Sequence, residues 1–275
     1  MRVRNSYGRN MKLPGLTAER AEEFAGAIYE ARRSRVPIRP LTEVQSDLSL
    51  DDAYLVQQGV VRRYLDDGDR IVGYKLGLTS APMQQMLGVD SPDFAPVMAS
   101  HVNPDGAAIP AADYIAPRLE VEIALVLAAD LVGPDCTALD VLRATEGAVA
   151  ALELVDSRIL DWRITLADTV ADMASSGAII LGGRTVPLRD IDLRLVGMVF
   201  TRGGELIATG AGAAALGNPA EAVAWLVRTL YTFGGSLSAG DIVMTGALHA
   251  AVPVAAGEVY RAAFDRLGPV GVRIT

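Results

Sequence analysis

The sequence predicts an α+β protein in which a short helical N-terminal portion packs on the outside of a rolled, mixed β structure. Three observations carry that expectation. Many short strand-like runs follow residue 70, separated by glycine, proline and polar residues. Few runs have helical spacing, and strands do not alternate with helices as a parallel βαβ sheet would require. With 275 residues, 51% of them hydrophobic, the chain can bury a large core in one domain, or in one domain plus a small one. The expected division is a flexible arm over 1–16, a helical portion over 17–70 and a β-roll catalytic domain over 71–275.

The arm carries Arg2, Arg4, Arg9 and Lys12, with no acid and no apolar core, so it does not read as a secretory signal; Met11 is an alternative start. Thr17 caps a first helix running to about Ser34, with Phe24, Ala25 and Ile28 on its apolar stripe. Ser49, with Asp52 three residues on, starts a second helix that closes at Asp66-Asp67-Gly68-Asp69. Residues 71–78 read as a strand holding Gly73, Gly77 and Lys75, the only lysine after Lys12. Such a lysine is either a structural counter-ion for a buried acid or a proton-transfer group whose pKa shifts readily. Ser80, Pro82 and Gly88 bracket a short helix, and residues 89–94 form a turn-rich loop in which Asp90 and Asp93 read locally as turn formers.

Residues 117–127 are the stretch around which the rest is organised. From Leu119 to Leu127 glutamates interrupt an apolar run at two positions, Glu120 and Glu122. In a strand these point to one face, roughly 7 Å apart, with Ala124 and Val126 continuing that face. A second strand, over 148–156, is interrupted by Glu153. The acids either cover a solvent face or sit inside, where unpaired carboxylates cost several kcal/mol each and need a positive partner. Three carboxylates on two buried strands suit a hard divalent cation, Mg²⁺ or Mn²⁺.

Further on, Ser175-Ser176-Gly177 is either an ordinary strand-entry turn or a loop that places donors on an anion. Residues 191–209 read as a hairpin turning at Arg202-Gly203-Gly204. Gly210-Ala211-Gly212-Ala213-Ala214-Ala215 matches a dinucleotide fingerprint, but the next helix begins only at Asn218-Pro219, too late for these glycines to form its N-terminus. Strands resume at 241–246, 259–264 and 270–274. His249 lies either near the site that the Gly246 turn faces or on the surface.

Composition excludes several function classes. A net charge of −8 and 5% aromatic residues argue against a nucleic-acid partner. Cys136 is the single cysteine, so a reducing cytoplasm fits, and with two histidines beside it a structural zinc site is excluded. No apolar run reaches the ~18 residues of a membrane helix. The apolar excess of an acidic chain points to a homo-oligomer.

These segments resemble the 2-keto-4-pentenoate hydratase and 4-oxalocrotonate decarboxylase family, within the fumarylacetoacetate-hydrolase-like superfamily. The resemblance rests on Gly73-Tyr74-Lys75-Leu76-Gly77, Leu87-Gly88-Val89-Asp90-Ser91-Pro92-Asp93-Phe94, Pro117-Arg118-Leu119-Glu120-Val121-Glu122 and Ala151-Leu152-Glu153-Leu154-Val155-Asp156-Ser157-Arg158. It extends in order over roughly residues 17–275. It implies a β-roll, a divalent metal on Glu120, Glu122 and Glu153, and proton transfer by Lys75 and Asp93. It also implies that Ser175 and Ser176 hold the substrate's carboxylate or 2-oxygen, with Leu87 beside the substrate. Met173 replaces an asparagine common in relatives, which implies a missing polar contact near the substrate, and His249-Ala250-Ala251 replaces a frequent Gly-Pro-Met. The activity implied is hydration of 2-hydroxypenta-2,4-dienoate or a close relative, in meta-cleavage degradation of aromatic compounds. The alternative is decarboxylation of a 4-oxalocrotonate-type acid. A hydrolase of acylpyruvates would use a histidine–glutamate pair to activate water, and the N-terminal half shows no clear one; a non-catalytic subunit would not need Lys75 and three glutamates.

Overall fold

The structure is a computed structural model that describes residues 15–80, 84–85 and 88–275. The basic arm up to residue 14, most of the short helix expected after Ser80, and Leu87 lie outside the described residues.

Helix α1 (Ala18–Ser34) starts where Thr17 Oγ1 accepts the Arg20 N–H at 3.2 Å and ends at Arg35 in a left-handed cap. Its stripe Ala21, Phe24, Ala25, Ile28 and Ala31 is buried. A single turn, α2 (Leu41–Val44), precedes α3 (Leu50–Asp66), which opens with a capping box between Ser49 and Asp52. Asp52 also accepts the N–H of Leu16, which is itself buried, so the chain is already seated there. The helices cross closely at Gly59, where an added Cβ would lie 2.7 Å from the Ala25 Cβ. Buried Gln57 then ties α3 to the β structure, donating to the carbonyls of Phe94 at 3.0 Å and Val170 at 2.8 Å.

Among the described residues thirteen strands form two sheets. The larger comprises β1 (Ile71–Gly77), β2 (Asp93–Met98), β3 (Val102–Pro104), β5 (Arg118–Leu127), β6 (Thr145–Val155), β7 (Ser176–Leu181), β10 (Ile242–Met244) and β11 (Val252–Pro253). Its order is β2-β1-β10-β5-β6-β7-β3, with β11 added to β5. The smaller comprises β4 (Ala107–Ile109), β8 (Gly197–Arg202), β9 (Glu205–Ala211), β12 (Val259–Phe264) and β13 (Gly268–Ile274), in the order β4-β13-β12-β8-β9. Three further α-helices are α4 (Ala138–Ala144), α5 (Leu166–Ala171) and α6 (Pro219–Thr232), the last capped by Asn218 with proline at its start. This is the curled α+β architecture that the sequence predicts, and the late helix start removes the dinucleotide reading of residues 210–215.

The alternation along β5 and β6 divides the interior. Leu119, Val121, Ile123 and Leu125, with Leu152 and Leu154, join the main core shared with Phe200, Tyr260, Val270 and Val272 of the second sheet. The opposite face carries a smaller apolar cluster of Val97, Ala124, Val149, Ala151, Ile179 and Met244. Glu122 and Glu153 are buried on this second face.

The segment expected as a loop at 89–94 differs. Asp93 and Phe94 open β2, an antiparallel partner of β1 that the sequence pattern hid because Pro96 interrupts it. Proline is tolerated there because β2 is the sheet's edge strand.

Candidate active site

Strand pairing gathers the functional side chains. Glu120 faces Glu153 directly across β5 and β6, and Glu122 faces Ala151. Lys75 pairs with Met244 of β10, which pairs with Ala124 of β5, so the lysine stands on the carboxylate face two strands away. Asp93 pairs with Gly77 and joins the same face from β2.

One carboxylate oxygen from each of Glu120, Glu122 and Glu153 can be chosen so that all lie within 4.8 Å of one another. Glu122 Oε1 and both oxygens of Glu153 are buried without a hydrogen-bond partner. Glu122 Oε2 accepts the Gly246 N–H at 2.8 Å. Gly246 has φ 109°, and a Cβ there would collide with the Thr79 side chain, so glycine is required for this donor to reach the acid. Lys75 Nζ lies 3.4 Å from Glu153 Oε2 and donates to the Ala174 carbonyl at 3.0 Å. Asp93 is buried with Oδ1 unpartnered.

The electrostatics follow from this crowding. Burial, reinforced by the Glu153 charge, pushes Glu120 up to about 7 and raises Glu122 well above the ordinary carboxylate range. Burial raises Glu153 and Asp93 too, with Lys75 opposing in both cases. Burial works to lower Lys75, but the charges of Glu153, Asp93, Glu120 and Glu122 outweigh it and hold the amine above its ordinary value. Four acids share one ammonium, and unpartnered oxygens point at a common centre. That donor set, all oxygen and all carboxylate, fits a hard divalent cation.

A cavity of about 950 Å³ opens over this floor, and Lys75, Asp93, Glu120 and Ser175 line it. Arg118, Trp162 and His249 line it as well, Arg118 two residues before Glu120 on β5. The Arg118 guanidinium lies over the Trp162 ring, 4.2 Å from its centroid.

Several details differ from the sequence reading. Gly73 and Gly77 admit close approach of the protein itself. A Cβ at Gly73 would strike the Ile242 backbone, and one at Gly77 would strike the Asp93 carboxyl, so protein fills both spaces. Ser175 lines the cavity, but Ser176 opens β7 and lines a small separate cavity with Arg32, His101 and Met173. Met173 thus borders this small cavity rather than the main one. His249 is at the cavity: its Nδ1 meets the Ala250 carbonyl at 2.6 Å, and burial lowers its pKa. The Ala174 carbonyl and the Gly246 N–H were not foreseen, since main-chain groups leave no mark in residue type.

The metal-free cluster makes a pH prediction. Glu120 has an ordinary value of 4.5 and holds its proton to about 7 in the fold, so the folded state binds more protons than the unfolded chain between those values. Stability therefore falls as pH rises through that window, and a cation that needs deprotonated carboxylates restores it. Mg²⁺ is expected to raise the melting temperature much more at pH 8 than at pH 5.5. Equal shifts at the two pH values in a thermal unfolding assay would contradict the site.

Comparisons with known proteins agree with this geometry. The family described as fumarylacetoacetate (FAA) hydrolase C-terminal matches residues 65–275. The chain is 44% identical over 255 residues to 2-keto-4-pentenoate hydratase of Paraburkholderia xenovorans (strain LB400), covering 93% of this chain and 95% of that protein. It is 41% identical over 250 residues to 2-hydroxyhexa-2,4-dienoate hydratase of Comamonas testosteroni, covering 90% and 95%. Among solved structures, 4-oxalocrotonate decarboxylase from Pseudomonas putida G7, complexed with magnesium and adipate, superposes with a TM-score of 0.93 at 36% identity, covering 95% of this chain and all of that one. The chain belongs to the fumarylacetoacetate hydrolase family, in the branch of the 2-keto-4-pentenoate hydratases and 4-oxalocrotonate decarboxylase.

Proposed function

We propose that this protein is a divalent-metal-dependent hydro-lyase that adds water to 2-hydroxypenta-2,4-dienoate or a close relative, giving a 4-hydroxy-2-oxo acid in the breakdown of aromatic ring-cleavage products. The observation that carries the reading is the meeting of Lys75, Asp93 and three glutamates on one sheet face under a cavity, in a chain 44% identical to a hydratase over most of its length.

Glu120, Glu122 and Glu153 would hold Mg²⁺ or Mn²⁺. Bound there, the cation supplies Lewis-acid charge to the substrate's C1 carboxylate and C2 oxygen. Ser175, at the cavity wall, would orient the same oxygens. In the first stage the C2 hydroxyl proton leaves and a proton arrives at C5, giving the conjugated 2-oxo-3-enoate. In the second, the oxygen of water bonds to C4 and a proton reaches C3, so that one water is taken up overall. Lys75, held charged at one point by the Ala174 carbonyl and the Glu153 carboxylate, would give a proton and take one back. Asp93, whose carboxyl burial keeps above the ordinary range, would serve as the second proton carrier.

Decarboxylation of a dicarboxylic 2-oxo acid is the second reading, favoured by the 0.93 TM-score with the decarboxylase. It would use the same acids and lysine but release CO₂. Ultraviolet-monitored turnover of a 2-hydroxydienoate panel with Mg²⁺, with product identification, separates the two. A 4-hydroxy-2-oxo acid is expected. Release of CO₂ selects the second reading, and no turnover of any dienoate overturns both.

Among the described residues no helix is long and apolar enough to cross a membrane. Buried, unpaired Cys136 is consistent with a reducing cytoplasm. Exposed Leu206, Val199 and Val259 on strands of the smaller sheet fit a homo-oligomer. Light scattering at micromolar concentration is expected to find more than one subunit, and a monomer alone would contradict this.

A further inference from the structure

The carbonyl that receives Lys75 belongs to a turn that its own sequence disfavours. Met173, Ala174 and Ser175 have φ of 55°, 49° and 53°. Three consecutive left-handed residues, none of them glycine, do not arise from local preference, because Cβ crowds the carbonyl in that region. Such strain persists only where the surroundings over-determine it.

Here the surroundings are a single buried knot. Arg158 is 2% exposed, and its Nε donates to Asp172 Oδ1 at 2.5 Å. Its Nη2 donates to the Asp172 carbonyl, and its Nη1 to the carbonyls of Ser176 at 2.7 Å and Asp156 at 2.6 Å. Asp172 Oδ2 in turn accepts the Arg158 N–H at 3.0 Å and the hydroxyls of Ser157 and Ser175, each at 3.3 Å. One guanidinium thus grips the residue before the turn and the residue after it. From the β1 side Lys75 Nζ meets the middle of the turn, and Ser175 is left on the cavity wall.

We infer that Arg158 and Asp172 are positioning residues of the active site: their buried pair holds the left-handed turn 173–175 so that the Ala174 carbonyl fixes the Lys75 amine and Ser175 faces the substrate. Neither residue lines the main cavity. An ammonium has three donors. With one on Ala174 and its charge set against Glu153, the amine of this cavity-lining residue keeps donor capacity for a bound substrate. The role as stated rests on the proposed proton transfer by Lys75.

Arg158→Lys tests it. The charge beside Asp172 stays, but a single amine cannot span both ends of the turn as a planar fork does. In the folded variant kcat is expected to fall by about 10-fold or more, less than the ~10²-fold expected when a proton-transfer group is removed outright. KM and Mg²⁺ affinity should stay within about twofold, because β5 and β6 hold the acids independently. Ala174→Gly in that background should recover much of the kcat without recovering the melting temperature, since glycine adopts the left-handed turn unaided. A purely structural ion pair would show neither the kcat-specific loss nor this rescue. Wild-type kcat in Arg158→Lys, or no gain from the added glycine, overturns the inference. If Arg158→Lys does not fold, Ser157→Ala, which removes one bond to Asp172, carries the same pair of tests. Lys12 and Lys75 are the only lysines, so isotope-labelled lysine gives a resolvable Lys75 amine signal without substrate. That signal should shift in Arg158→Lys. An unmoved signal overturns the positioning role whatever the chemistry, whereas wild-type turnover in Lys75→Met would overturn only the proton-transfer reading.

Discussion

Glu122→Gln is expected to abolish turnover and Mg²⁺ binding while leaving a folded protein. Glutamine keeps the shape of the side chain, and its amide oxygen can still accept the Gly246 N–H that Glu122 accepts at 2.8 Å. What disappears is one negative charge from a buried centre to which Glu120 and Glu153 contribute the others. The loss of Lewis-acid stabilisation should lower kcat by roughly 10³-fold or more, the equivalent of several kcal/mol in the transition state. The metal-free variant should melt no lower than the metal-free parent at neutral pH, because burial already disfavours the Glu122 charge. Calorimetry that finds parental Mg²⁺ affinity in Glu122→Gln would remove the three-glutamate assignment.

Lys75→Met is expected to cut kcat by at least ~10²-fold, the usual scale for a positioned acid or base. Methionine keeps an unbranched side chain of similar length and cannot carry a proton. Metal affinity should hold or rise, since an ammonium 3.4 Å from Glu153 competes with the cation for that carboxylate. The metal-free variant should also melt lower above neutral pH, where Glu153, Asp93, Glu120 and Glu122 lose their shared counter-ion. If Lys75 were only that counter-ion, saturating Mg²⁺ would restore both stability and turnover. Melting temperature and kcat measured on one metal-loaded preparation separate the two outcomes.

Much of the fold was legible because its signals are local. Thr17, Ser49 and Asn218 mark helix starts by chemistry that acts within three residues, and each caps the helix expected of it. The alternation of 119–127 places Glu120 and Glu122 on one face without reference to any other strand. The hairpin at Arg202-Gly203-Gly204 announces itself through its turn residues. Where a local rule was broken, the reading failed: Pro96 concealed β2, and with it the strand that carries Asp93.

By itself, then, the sequence determined the element types, the shared face of two glutamates and the isolation of one lysine in an apolar strand. Only the tertiary structure decided that Glu120 stands opposite Glu153, because register depends on pairing between strands far apart in the chain. It also brought Lys75 to them through a parallel contact with β10, near the other end of the chain. It filled the space beside Gly73 and Gly77 with the Ile242 backbone and the Asp93 carboxyl, and it sent Ser175 to the cavity and Ser176 away from it. The last division follows from three left-handed residues that no local propensity favours. They exist because Arg158 and Asp172, fourteen positions apart, form a buried pair around them.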